Sequence, residues 1–431
     1  MAPSPLGLRY FSPIEGAGGG DLPRLFPLAP ARSGSRETAE LCRDENDRWW
    51  FRGAAGERFV SLGINHVQSD CWLAPYNRAY MLDRYGADLE GPDGRFNGDG
   101  EGLRRLLAQV KEELRGLGFN TFGMHTYDVP PELYGDEFYY CAAIDFFPLG
   151  SRYKFKQQRF PDIFAGEFRQ KLEAHIAACC ALHRDRKQFL GYAYSDIPRW
   201  YFYEGQSRDR EPVHPWVRDL LSLPDGAPGR EACRAVVGDA DVATREQSDA
   251  ILRRVVEFWY KLHARLIRKH DPRHLLFGDK LHSPHRIPEW FLPILRENVD
   301  LLFLQWYCPI EDQEATLRKL HAATGKPILN GDSCFSCPKP PRQTKVKGYK
   351  VPSQAAVGEA YAAYLEGAMR LPFMLGWHHC GLLEQWDGGK QNDWEINENG
   401  LFDPFEKPYP EITAAVKRAN RQAARWHKES G

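Results

Sequence analysis

No stretch of this sequence approaches the roughly 20 apolar residues that a helix needs to cross a bilayer, so no membrane insertion is expected. An excess of one charge is also lacking. Against 57 Lys and Arg stand 58 Asp and Glu, for a formal net charge of -1, which excludes the basic stripe of a nucleic-acid binder. The opening MAPSPLGLRYFSP has no charged region followed by an apolar one, so no secretory signal is expected. The phosphate-cradling pattern G-x-G-x-x-G is missing, which argues against a doubly wound dinucleotide fold. Regular cysteine spacing is missing too. Cys42, Cys71, Cys141, Cys179, Cys180, Cys233, Cys308, Cys334, Cys337 and Cys380 stand at irregular intervals, several within apolar runs. That reads as reduced, buried thiols of a cytoplasmic protein, not a disulfide framework. Cys334 and Cys337 form one C-x-x-C, but a structural zinc needs four ligands and no second pair is visible.

What is present suits a large core: 42% of the residues are hydrophobic and 13% aromatic. A chain of 431 residues is long for one domain, but parallel barrels often run to this length. Residues 1–45, rich in Gly, Pro, Arg and Ser, read as an irregular N-terminal arm, and 46–431 as one domain. In RWWFRGAAGERFVSLG two apolar runs flank a glycine turn, a hairpin signal. Short apolar runs then follow at 59–66, 119–125, 138–145, 189–196, 274–279, 300–307, 326–332 and 373–379. Between several of them, at 100–118, 166–184, 248–269 and 354–370, apolar residues recur at three and four, as on an amphipathic helix. This alternation predicts an α/β fold, a (β/α)8 TIM barrel. Long βα connections at 67–99 and 197–246 fall on the face where such barrels build their sites. In the second, Trp200, Tyr201, Tyr203 and Trp216 either stack on sugar rings or pack the loop onto the barrel.

Each apolar run ends in chemistry. The ends read Asn65-His66, His125-Thr126-Tyr127, Asp145, Ser195-Asp196, Asp279-Lys280, Gln305-Trp306-Tyr307, Asp332 and Trp377-His378-His379. A barrel gathers all eight ends around one centre, which capping alone does not explain. Hydrolysis of a glycosidic bond needs two carboxyl groups, one giving a proton to the leaving oxygen and one attacking or activating water. Strands four and seven face each other across the barrel mouth, so Asp196 and Asp332 can form that pair, with Asp145 and Asp279 as competitors.

These runs resemble clan A glycoside hydrolases of the agarase and β-galactosidase type. RWWFRGAAGERFVSLGINHV is similar to their aromatic hairpin and first strand, and FLGYAYSDIPRW to their fourth-strand motif G-Y-x-x-x-N-E. LLFLQWY resembles their sixth strand, KPILNGDSCFS their seventh, and GWHHCGLLEQWDGG with NENGLFDPFEKPYPEITAAVKRAN their C-terminus. The pattern covers about residues 47–425. It implies Asp196 as general acid/base, Asp332 as nucleophile or base, and Tyr307 donating to Asp332. It further implies Trp377 as a stacking floor, and His66, His125, Asp145, Asp279, Lys280, Gln305, His378 and Glu384 as binders of sugar hydroxyls.

The sequence departs from that pattern at three positions. Asp stands at both expected Glu positions, and Ser195 replaces the Asn that would hold a sugar 2-hydroxyl. Asp is one methylene shorter, so the carboxylates should lie further apart unless the backbone moves inward. An inverting enzyme, an altered substrate, a shifted pair and lost activity all stay open. A carbohydrate partner is expected, with no cofactor, no metal and no nucleic acid; the sequence carries no sign of oligomeric state. Two other readings stand beside the glycosidase. One is a metal-dependent barrel hydrolase or lyase using His66, His125, Asp279, His378 and His379. The other is an inactive barrel that binds carbohydrate.

Overall fold

The computed structural model describes residues 38–126, 128–146, 159–198, 200, 213–238, 240–346, 348–387 and 399–429. Tyr127, Tyr201, Tyr203 and residues 1–37 lie outside them.

Eight parallel strands close into a barrel. They are β1 (Ser61–Ile64), β2 (Thr121–Phe122), β3 (Tyr139–Ala143), β4 (Phe189–Asp196), β5 (Leu275–His282), β6 (Leu302–Gln305), β7 (Ile328–Ser333) and β8 (Met374–His379). Each coincides with one of the eight apolar runs. The ring shuts where β8 pairs with β1, Gly376 opposite Ser61 and His379 opposite Ile64. Around it lie α1 (Glu101–Leu117), α2 (Gly166–His183), α3 (Arg245–His270), α4 (Leu292–Asn298), α5 (Ile310–Thr324), α6 (Gln354–Arg370) and α7 (Pro410–Glu429). Strand and helix do not alternate everywhere. The link from β2 to β3 contains a 3-10 turn, Pro131–Leu133, where a full barrel unit would have an α-helix.

The helices form where the three-four spacing predicts them. In α1, Leu103, Leu106, Leu107, Val110, Leu114 and Leu117 are all buried, and Gly118 ends the helix in the left-handed conformation. In α3, the Thr244 side chain accepts from the Gln247 N–H while the Gln247 side chain returns to the Thr244 N–H. Such a cap is worth about 1 kcal/mol.

Leu190, Leu275, Phe277, Leu301, Phe303, Leu329 and Leu375 fill the barrel and share one apolar cluster with Phe51. Phe51 belongs to a three-stranded antiparallel sheet built from Glu40–Arg43, Trp49–Arg52 and Arg58–Phe59. The sheet contains the expected hairpin, with Phe51 opposite Phe59. Its first strand comes from the end of the stretch read as irregular. Phe59 stacks on Tyr139 at the start of β3, ring centroids 4.0 Å apart. The sheet therefore closes the barrel at the N-terminal end, away from the strand ends that carry the polar residues.

Register shifts decide which side chains face the axis, and two of them fall at glycines. Along β4 and β5, Tyr192 lies opposite Leu276 but Ala193 opposite Gly278. Along β7 and β8, Ile328 lies opposite Met374 but Leu329 opposite Gly376. Gly278 and Gly376 have φ of 71° and 144°, which a side chain rarely tolerates. A Cβ on Gly376 would also run into the Ser61 backbone. An extra residue in one strand reverses the in-out alternation beyond it. Among the described residues no helix is long and apolar enough to cross a membrane.

Candidate active site

Just past each of the first five strands a residue other than glycine takes a positive φ. These are His66 (59°), His125 (68°), Asp145 (42°), Ile197 (35°) and Ser283 (51°). Such conformations cost about 1–3 kcal/mol each and persist only where the surroundings enforce them. All five lie on the face opposite the N-terminal sheet.

Lys280 is at the centre of this face. Past the Gly278 bulge it points to the barrel axis, fully buried. Its ammonium donates to Asp332 Oδ2 at 2.6 Å and to His125 Nε2 at 2.7 Å. It also forms an ion pair with Asp196 Oδ1 at 3.1 Å. His125 Nε2 lies 3.7 Å from Asp196 Oδ2 and 3.6 Å from Asp332 Oδ2, and the His66 ring stacks on His125 at 4.5 Å. Asp332 is further held by Asn65 Nδ2 at 3.0 Å on Oδ1 and by Gln305 Nε2 at 3.0 Å on Oδ2. The Gln305 amide also donates to the Tyr307 hydroxyl at 2.9 Å, and that hydroxyl contacts Cys380 Sγ at 3.4 Å. Tyr307 and Asp332 are thus linked through Gln305.

The pair expected from the sequence, Asp196 and Asp332, therefore does meet, and it meets across a lysine. The triangle formed by the two Lys280 contacts caps the separation of these carboxylate oxygens. That cap falls short of the roughly 6.5–9.5 Å of inverting glycosidases and leaves room for the roughly 5–5.5 Å of retaining ones. The wider gap expected from two shorter side chains does not arise, because a shared cation draws them together. The lysine also sets their charge. Burial alone would raise the Asp196 carboxyl, but Lys280 and His125 outweigh burial and hold it below the usual carboxylate range, with Asp332 opposing. A resting proton on Asp196 is therefore disfavoured.

Asp145, at the end of β3, behaves in the opposite way. Burial first, then the Asp196 charge, push it up to about 7 despite Lys280. Its Oδ1 is covered and has no hydrogen-bond partner among the described residues.

Other expected binders sit elsewhere. Asp279 precedes Lys280 and so faces the helices. Its Oδ1 accepts from Ser195 Oγ at 2.6 Å and its Oδ2 from Trp200 Nε1 at 2.8 Å, and its N–H donates to Tyr260 of α3. Burial raises it to about 6 against those donors. The Ser195 hydroxyl is thereby directed to Asp279, not to a sugar. Trp377 follows the Gly376 bulge and also faces outward. It packs on Tyr361 and Tyr364 of α6, centroids 4.5 Å away in both cases, and donates to Ser333 Oγ. It is wall, not a stacking floor, and the expected role gives way to this packing. Trp377→Ala should cost about 3–5 kcal/mol in a denaturant melt and leave substrate KM unchanged; a raised KM at full stability would return Trp377 to the pocket.

His378 faces the axis but is fully buried, its Nε2 2.8 Å from Ser61 Oγ. Burial lowers it to about 3, so it stays neutral. Glu384 is also buried. It pairs with Lys339 at 2.6 Å and accepts from Trp386 Nε1 at 2.9 Å, which pins the loop after β8 to the loop after β7. Trp200 and Trp216 stack on each other, centroids 5.2 Å apart, inside the loop core. Of the two readings for these tryptophans, packing is the one realised. Asn65 and Cys380 are the site residues that sequence reasoning passed over. The position of Asn65 at the first strand end was a signal for it; Cys380, next to His379, gave none.

The five residues considered for a metal do not converge, since Asp279 is engaged by Ser195 and Trp200, and His379 lies against Tyr361 of α6. Among the described residues one other group, His66, Asp332 and Cys380, brings ligand atoms within 4.8 Å of one another. The Lys280 ammonium on Asp332 already supplies positive charge there. All ten cysteines are free thiols, Cys334 and Cys337 included.

No protein family's model matches the chain, and no curated protein matches it. Solved structures share its fold. An agarase, AgWH50C, superposes with a TM-score of 0.70 at 18% identity, over 96% of this chain and 67% of its own. An exo-β-agarase superposes with 0.71 at 14% identity, over 93% and 68%. A Bacteroides uniformis β-glucuronidase superposes with 0.54 at 11% identity, over 89% and 37%. At these identities the likeness is one of architecture.

Proposed function

We propose that this chain is a glycoside hydrolase that cleaves an O-glycosidic bond of an oligosaccharide, with Asp196 and Asp332 on either side of the scissile bond. The observation that carries the reading is the meeting of two strand-end carboxylates, from β4 and β7, on one Lys280 ammonium at the C-terminal face of the barrel. Asp332, with 1% of its side chain exposed, lies deep and is oriented by Asn65 and Gln305; Asp196, with 25% exposed, is open to a ligand. The fold-sharing agarases and glucuronidase act on sugars as their names state, which supports a carbohydrate substrate and, more narrowly, an agar-type or β-galactoside-like oligosaccharide. Ten free thiols support a cytoplasmic setting, and with it a short imported oligosaccharide.

Lys280 Nζ, 3.1 Å from an Asp196 oxygen and 2.6 Å from an Asp332 oxygen, crowds the space that a glycosidic oxygen has to enter. That obstruction favours a second reading, a barrel that binds sugars without cutting them. One experiment separates the two. Purified protein is offered aryl glycosides and agar-type oligosaccharides, and the first-formed anomer is read by proton NMR. Turnover with retained configuration is expected. Binding by calorimetry with no cleavage of any glycoside would favour the second reading, and an inverted product would displace the proposed pairing.

A further inference from the structure

The loop after β7 carries charge of one sign only. Between Pro338 and Lys350 stand Lys339, Arg342, Lys345, Lys347 and Lys350, with no Asp or Glu, in a chain of net charge -1. Lys347 lies outside the described residues. Lys339 pairs with Glu384 at 2.6 Å. Arg342, Lys345 and Lys350 are exposed and form no ion pair among the described residues. A surface that serves solubility alone mixes both signs; a run of one sign repels itself and draws anions. Contacts with the loop after β8 fix the shape of this one. Arg342 stands over the Trp386 ring, 5.2 Å from its centroid, and its carbonyl accepts from the Asp387 N–H at 3.0 Å. Gln343 is buried and donates to the Gln385 carbonyl at 3.0 Å, and the Thr344 N–H donates to Asp387 Oδ2 at 2.9 Å. The end of the loop then returns to the rim of the site. Tyr349–Lys350 pairs in parallel with Phe335–Ser336. Gly348, with φ of 95°, packs so closely on Tyr307 that a Cβ there would lie 3.3 Å from the ring carbon Cδ1. Tyr307 contacts Gln305 at 2.9 Å, and Gln305 holds Asp332 at 3.0 Å. The Tyr349 side chain is 41% exposed, and Val242 is the one other large apolar side chain so open among the described residues.

We infer that this loop binds an acidic unit of the substrate, a sugar carrying a sulfate ester or a carboxylate, with Tyr349 against the sugar ring. The inference rests on the glycosidase reading above and narrows its substrate to an anionic oligosaccharide. The planar fork of Arg342 matches two oxygens of either acid, and Lys345 and Lys350 add charge without fixing an angle. The apolar face of a sugar ring covers an open tyrosine, which water wets poorly. The centre of the site cannot take the acid. Its cation, Lys280, is already held between Asp196 and Asp332, so an anion placed there would meet two carboxylates. A rim loop one or more sugar units away receives the charge and keeps it clear of that pair. Exposed ion pairs are individually weak, and three acting together give about a tenfold gain in affinity.

The test is calorimetry on the full chain carrying Asp332→Asn, so that nothing is cleaved. Three oligosaccharides of equal length are compared: a neutral agar-type one, its sulfated counterpart and one bearing a uronate. An acidic ligand is expected to bind about tenfold more tightly than the neutral one at low salt. That gain should vanish in about 1 M salt, where the Debye length is about 3 Å. With Lys345→Gln and Lys350→Gln added, the acidic ligand should come within about twofold of the neutral one. A gain for the sulfate alone or for the uronate alone supports the inference and names the acid. Wild-type KM on the same oligosaccharides gives a second reading and should show the same order. Equal affinity for all three, or a gain that survives the double substitution, overturns the inference and leaves the glycosidase reading untouched. Polyglutamate binding as tightly as the acidic sugars also overturns it, because the loop would then be a general anion patch. Wild type that cleaves no glycoside, with the acidic gain intact, removes the cleavage and keeps the binding site.

Discussion

Asp332→Asn should lower turnover on any glycoside substrate by about a thousandfold or more while leaving a folded protein. The side chain is isosteric, so the barrel is not opened. What changes is charge and one oxygen. Asp332 accepts from Asn65 on one oxygen and from Gln305 and Lys280 on the other. An amide in its place sets an N–H against at least one of these donors, whichever way it is turned. That mismatch costs about 1–3 kcal/mol of stability and removes the attacking anion. Single-turnover kinetics beside a thermal melt separate the two effects. Turnover within tenfold of wild type, in a protein that melts normally, would move the attack to another carboxylate.

The second large effect concerns stability. Lys280→Met should destabilise the fold by about 3–5 kcal/mol near neutral pH, because it leaves two close carboxylates at the barrel centre without their cation. The loss should depend on pH. In wild type, Asp196 is held below its ordinary range, so it contributes stability above about pH 4 that is lost as pH falls further. In the variant the same group faces Asp332 with His125 but no ammonium beside it, and its folded-state proton affinity rises. Protonation then relieves the variant, and the gap to wild type narrows as pH falls through about 4. Urea melts at two pH values measure this. An equal deficit at both would mean that Lys280 contributes by packing and not by charge.

Most of the architecture could be read from the sequence, because each strand is an apolar run bounded by polar residues and each major helix carries an unbroken three-four stripe. That Asp196 and Asp332 stand on one face followed from strand count, but their inward turn also depends on register shifts between Ala193 and Asp196 and between Asn330 and Ser333. The orientation of their neighbours did not follow from strand count. Alternation counted along HLLFGDK puts Asp279 with Phe277 and Leu275 inside the barrel, and alternation along FMLGWHH puts Trp377 with Leu375. Both counts fail at a glycine, Gly278 or Gly376, where one extra residue is absorbed without a ladder partner. A bulge is a matter of pairing with another strand, and no local pattern of apolar residues encodes it. The Lys280 bridge was hidden for the same reason. The pinning of Glu384 to Lys339 joins two loops 45 positions apart in the chain, which residue types alone do not reveal.

Gly278 has a wider consequence. Without the residue absorbed there, the pleat would present an aspartate to Asp196 and Asp332 where it now presents an amine. Three acids would then crowd the barrel mouth with only the His125 imidazole to offset them, a site suited to gripping a cation more than a sugar. The electrical character of the whole centre therefore hangs on one backbone dihedral.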